Sequence, residues 1–128
     1  MRLRKLLILI SLLSILVSCK ESNNKKDIKN RIIKMYRDAP KVDVESVDFN
    51  YQVESVNSYC RSAVAKDPVL TDFFIKFFEK KRKDNPAAFF GVTIENANYC
   101  GLLFTMWLDD ELGFTDEEYE IVKRMSFK

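Results

Sequence analysis

The chain has 128 residues with 21 Lys and Arg, 19 Asp and Glu, three cysteines, three glycines and no histidine. Without imidazole there is no histidine general base, no Ser-His or Cys-His nucleophile pair and no imidazole-ligated metal. Three cysteines with no Cys-x-x-Cys cannot build an all-cysteine zinc site, and three glycines leave no Gly-rich phosphate loop.

Residues 1–19 read MRLRKLLILISLLSILVSC. Arg2, Arg4 and Lys5 form a basic start, and Leu6 to Val17 follow as twelve residues interrupted only by Ser11 and Ser14. A membrane span needs roughly 20 apolar residues to cross a ~30 Å hydrocarbon core. Length and flanks fit the apolar region of a secretory signal instead. Leu16-Val17-Ser18-Cys19 resembles the lipobox of bacterial lipoproteins: an aliphatic residue, a small or aliphatic one, a small one, then cysteine. The resemblance is confined to these residues. It implies cleavage before Cys19, a diacylglycerol on the Cys19 thiol and usually an acyl chain on the new amine. Two or three chains make residence on a membrane stable, where one gives reversible binding. Ordinary secretion with an incidental Cys19 and an uncleaved anchor are the plainer alternatives.

Residues 1–18 are therefore expected as a lipoprotein signal peptide, placing the protein in a bacterial cell envelope. Removing the three leader charges leaves 18 basic against 19 acidic groups, a net charge of −1. The +2 of the whole chain belongs to the leader, and no nucleic acid is expected as partner.

Residues 19–40 are expected as the lipidated cysteine, a polar tether and a short helical arm. Lys20 to Asp27 carry no apolar side chain, while Ile28, Ile32, Ile33 and Tyr36 fall at helical spacing before Pro40. Lys20 is not aspartate, which in enteric-type bacteria implies sorting to the outer membrane.

Residues 41–128 are expected as one helical domain. Val42, Val44, Val47, Phe49, Tyr51 and Val53 partly alternate as in a strand, but a lone strand has no partner here. A helix over about 46–66 is preferred, with Val53, Val56, Cys60 and Val64 on one face. Asp67-Pro68 and Asn85-Pro86 each set a capping side chain before a proline, predicting helix starts. The first of these helices carries Phe73, Phe74, Phe77 and Phe78 and ends in Lys80-Lys81-Arg82-Lys83, which suits a helix C-terminus. The second is expected to run over 86–112, with Phe90, Ile94, Ala97, Gly101, Phe104 and Leu108 along one side; Gly91 can break or bend it. Thr115 and Glu118 form a capping box for a last helix, with Phe114 and Tyr119 as its staple and Tyr119, Val122 and Met125 inward. The fold class is all-α: about four helices plus the arm.

With Cys19 lipidated, Cys60 and Cys100 are left as a pair in an oxidising compartment. A disulfide between them closes a loop of about 40 residues, worth roughly 4 kcal/mol in the chain-entropy picture. Gly101 beside Cys100 is expected to let the two backbones approach. The alternative is two separate buried thiols.

Few residues invite chemistry. Asp109, Asp110 and Glu111 with Asp116, Glu117, Glu118 and Glu120 are a carboxylate group, but the first turn of a helix accounts for three of them and no EF-hand spacing is present. Glu79 to Lys83 reads as a solvated helix end, or as a contact for anionic lipid, cell-wall polymer or an acidic protein. The phenylalanines and Trp107 read as core, or as a groove for an acyl chain or partner helix. Asn57, Ser58, Asn96 and Asn98 hydrate the helix flanks or form a polar pocket near the cysteines. No catalytic residue, metal site or cofactor is expected.

The expected role is binding a protein partner in the envelope rather than catalysis: an assembly factor, an inhibitor, or by analogy of size and class a toxin-immunity protein presenting an acidic or aromatic wedge. A lipid-binding module is one alternative. A cell-wall enzyme using paired carboxylates is another; its least poor pair, Asp109 with Glu95, lies ~21 Å apart along a continuous helix.

Overall fold

The computed structural model describes residues 24–108 and 112–126, with the side chains of 125 and 126 left out. Six helices are present and no strand, so the all-α class holds among the described residues. They are α1 (24–38), α2 (Phe49–Lys66), α3 (Pro68–Asp84), α4 (Pro86–Phe89), α5 (Tyr99–Leu108) and α6 (Asp116–Ser126). The signal peptide, Cys19, residues 20–23 of the tether, Asp109, Asp110 and Glu111 lie outside the described residues, as does the side chain of Met125, which was expected inward. No described helix is long and apolar enough to cross a membrane.

The expected arm, α1, lies in the core. Ile28, Ile32, Met35 and Tyr36 are all buried, because four apolar residues at helical spacing make a full stripe. Two exposed-side cations fasten α1 to other elements. Lys29 Nζ meets Glu118 of α6 at 3.1 Å. Arg31 bridges Asp27 of its own helix at 2.9 Å and Asp67 at 2.8 Å.

Asp67 is where α2 stops and α3 starts. Its Oδ1 accepts the N–H groups of Val69 and Leu70 at 3.0 and 3.4 Å, with Pro68 supplying the first helical position. The Thr71 hydroxyl donates to the Val64 carbonyl at 2.6 Å, closing the corner. α3 then buries Leu70, Phe73, Phe74, Phe77 and Phe78, with Phe74 edge-on to Phe73, Phe77 and Tyr99.

The single helix expected over 86–112 is broken in two, so the arm α1 is followed by five helices rather than about four. α4 lasts one turn from the Asn85 cap, whose Oδ1 accepts Ala88 N–H at 3.3 Å. Gly91 then adopts φ +70°, a left-handed conformation open to glycine. Asn96 holds the loop in that form, accepting Thr93 N–H at 2.8 Å and donating to the Gly91 carbonyl at 2.9 Å. Arg82 of α3 ties it down from outside through the Val92 carbonyl at 2.7 Å. The proposed single face is therefore lost: Ala97 is buried, while Phe90 is 88% exposed and Leu108 61%.

The helix expected from about 46 starts at Phe49. Asp43 and Ser46 take residues 43–48 into a turn: Asp43 O accepts Ser46 N–H at 3.1 Å, and the Asp43 side chain accepts Glu45 N–H at 3.0 Å. At the other end of the chain the capping box forms as expected, with Thr115 and Glu118 exchanging bonds of 3.1 and 3.3 Å. Phe114 and Val122 are buried beneath it.

Candidate functional site

Asn57, Cys60, Cys100 and two tyrosines meet where α2, α5 and α1 converge. Asn57 is the buried polar residue of the core, 5% exposed. Its Oδ1 accepts the N–H groups of Tyr99 and Cys100 at 2.9 and 3.4 Å, so a side chain of α2 caps the start of α5. Asn98 supplies a local cap, accepting Gly101 N–H at 3.3 Å. The Tyr36 hydroxyl donates to the Tyr99 carbonyl, and the Tyr99 hydroxyl donates to the Ile94 carbonyl at 2.7 Å. Of the four residues proposed near the cysteines, Asn57 and Asn98 are helix caps, Asn96 is the loop clamp, and Ser58 is exposed.

The expected disulfide is not formed. Cys60 and Cys100 are free thiols and not at bonding distance. The physical reason lies one turn away, where the α2–α5 contact passes through the Asn57 amide rather than through sulfur. Nor does Gly101 bring the backbones together: a Cβ there would meet only the Asn98 side chain, at 3.7 Å. Burial pushes the Cys60 thiol up to about 12, with the neighbouring Cys100 adding to the effect, and raises Cys100 as well. Burial likewise holds the Tyr36 and Tyr99 phenols far above their ordinary range. These groups stay neutral and protonated, a condition that suits a structural centre and not a nucleophile.

The charged candidates do not converge. Asp116 accepts the Trp107 indole N–H at 2.9 Å, Glu118 is spent on the cap and on Lys29, and Glu120 faces Lys123 at 3.9 Å. Among the described residues no group of three or more carboxylates or cysteines could hold a metal ion. Glu95 sits in the 90–98 loop, while its suggested partner Asp109 lies outside the described residues. In Glu79 to Lys83, Arg82 holds the loop and Lys81 lies over the Phe77 ring at 5.5 Å from its centre.

The aromatic candidates divide sharply. Phe73, Phe74, Phe77 and Phe78 are buried on one another and are core. A cleft of about 250 Å³ between α3 and the loop, lined by Ile75, Phe78, Arg82, Val92 and Ile94, is smaller than the ~300–1,000 Å³ of ordinary small-molecule sites. Trp107 behaves differently. It stacks on Tyr119 of α6 at 4.7 Å between ring centres and 20° between planes. Phe104 closes the group at 5.6 Å from Trp107 and 6.4 Å from Tyr119. Trp107 and Tyr119 are half-buried, Phe104 is 49% exposed, and Leu108 lies one turn beyond it. Three rings and a leucine thus form an outward apolar surface across α5 and α6.

No protein-family model matches the chain, and neither a curated protein nor a solved structure matches it. Function has to be argued from the residues themselves.

Proposed function

We propose that this chain is a bacterial envelope lipoprotein, anchored to a membrane through Cys19, that acts by holding a protein partner rather than by catalysis. The basic, apolar and lipobox segments of residues 1–19 support the anchor. The observation that carries the binding role is the ring surface of Phe104, Trp107 and Tyr119 with Leu108. Tryptophan and tyrosine dominate the energetics of protein interfaces because they bury large area while ordering few torsions. Packed rings left facing water are disfavoured unless another surface covers them.

The position of this surface fits an anchored protein. The described part of α1 starts at residue 24, and the five residues from Cys19 to there span at most about 17 Å. Lys29, in the second turn of α1, meets Glu118 in the first turn of α6, and Asp116 of that turn holds Trp107. This link between α1 and the rings supports a surface that an anchor at Cys19 would hold within reach of partners at the membrane.

Affinity purification of the lipidated protein from its own envelope tests the reading. A defined protein should co-purify with the wild type and be lost from a Phe104→Ser, Leu108→Ser variant of unchanged helicity. No co-purifying protein, or one indifferent to those substitutions, would defeat the binding role.

A further inference from the structure

A second surface, separate from the rings, has the properties of a docking site. From Val42 to Cys60 the chain carries Asp43, Glu45, Asp48 and Glu54 and no lysine or arginine. The same stretch leaves Val47 fully exposed, Tyr51 at 76% and Val44 at 58%, with Phe49 and Tyr59 also at the surface. Apolar side chains at such exposure on a disordered loop would mean little. Here the turn is fixed: Gln52 Oε1 accepts Asp43 N–H at 2.6 Å, Ser46 Oγ accepts Asp48 N–H at 3.1 Å, and Ser46 O accepts Phe49 N–H at 3.3 Å. Val44, Val47 and Tyr51 are held out in water by a built scaffold.

The carboxylates are similarly uncommitted. Asp48 occupies the N-cap position of α2 yet its side chain makes no cap bond. Neither Asp48 nor Glu45 has an ion-pair partner among the described residues. Glu54 alone meets a cation, Arg61, at 2.7 Å. Along α2, Glu54, Ser55 and Ser58 lie between Tyr51 and Tyr59, and the two serines leave room for a facing surface to come close.

We infer that the 43–48 turn and the outward face of α2 dock a protein surface that carries lysine or arginine around an apolar centre. An exposed valine and tyrosine supply the area that can be dried. The uncompensated acids select positive charge and repel anionic headgroups and acidic polymers. This surface shares no residue with the ring cluster, so either can fail without the other.

The test places a photo-crosslinking amino acid at Val47 in the full chain, expressed in its own cells, with the same amino acid at Phe90 as the control for non-specific exposure. The expected result is one protein adduct at position 47, absent at position 90, whose crosslinked peptide contains lysine or arginine. Its yield should fall at least about tenfold in a Glu45→Gln, Asp48→Asn, Glu54→Gln variant, since close interfacial charge pairs couple strongly. A Glu45→Lys variant gives the same answer with one exposed substitution. The inference is overturned by no adduct, by an adduct with lipid or a second copy of this chain, or by a yield unchanged in the neutralised variant. Loss with Phe104→Ser, Leu108→Ser but not with the neutralised variant would assign contact to the rings alone.

Discussion

The Asn57 side-chain oxygen, from the middle of α2, accepts the Tyr99 backbone N–H at 2.9 Å and so determines where α5 begins. A helix start buried against a neighbour needs such a partner, since its first N–H groups have none within the helix. Replacing Asn57 by Ala leaves two buried N–H groups unanswered and is expected to cost about 2 kcal/mol. Chemical denaturation measures it. A loss below a few tenths of a kcal/mol would show that α5 is capped elsewhere.

Stability should fall with acidification. Burial alone raises the pKa of Asp67, but the Arg31 bond and the Leu70 and Val69 N–H groups outweigh it and hold the carboxyl below its usual range. Glu118 is held low in the same way against its own burial, by Lys29 and Thr115. A carboxylate with a lowered folded pKa stabilises the fold above its unfolded value, ~3.9 for Asp and ~4.3 for Glu, and that contribution is lost as pH falls through the folded pKa. Melting temperature should therefore begin to drop as pH falls below about 5 and go on dropping as it passes the lowered folded pKa values, and drop less steeply in an Asp67→Asn, Glu118→Gln variant. Parallel profiles would remove both groups from the account.

The two interior cysteines should behave as unequal thiols. In a Cys19→Ala protein purified without reductant and then denatured, both Cys60 and Cys100 are expected to titrate. In the native protein Cys60, fully buried with its pKa near 12, should resist alkylation while Cys100 reacts first. A mass two hydrogens short, with no thiol titrating, would restore the disulfide.

Gly91→Ala examines the break between α4 and α5. Nothing lies within 4 Å of a Cβ there, so any cost comes from φ +70° and not from collision. About 1 kcal/mol is expected for forcing alanine into that region. A stabilised or more helical variant would mean that the chain prefers the continuous helix.

Much of the fold was legible because its signals are local. Asp67-Pro68, Asn85-Pro86 and the Thr115/Glu118 box mark three helix starts by side chains that bond backbone within three residues. The phenylalanines of α3 are core because their spacing allows no other common face. What could not be read was long-range or competitive. Nothing near Asn57 in sequence reveals that its amide caps a helix more than forty residues on. Gly91 was legible as a possible break in the helical period over 86–112, but the Asn96 clamp that holds the break was not. That Trp107 of α5 stacks on Tyr119 of α6 is likewise a contact between helices that no local spacing announces. The exposed turn at 43–48 was masked by its own pattern, since alternating valines suggest burial.

The envelope placement of the proposed partner starts from anchoring through Cys19, and the intact mass of the protein extracted from its own envelope tests that most directly. The lipoprotein assignment predicts a chain beginning at Cys19, heavier than its amino acids by a diacylglyceryl group and an acyl chain, and a Cys19→Ala protein that leaves the membrane fraction. An unmodified chain, or one cut at another residue, would contradict it.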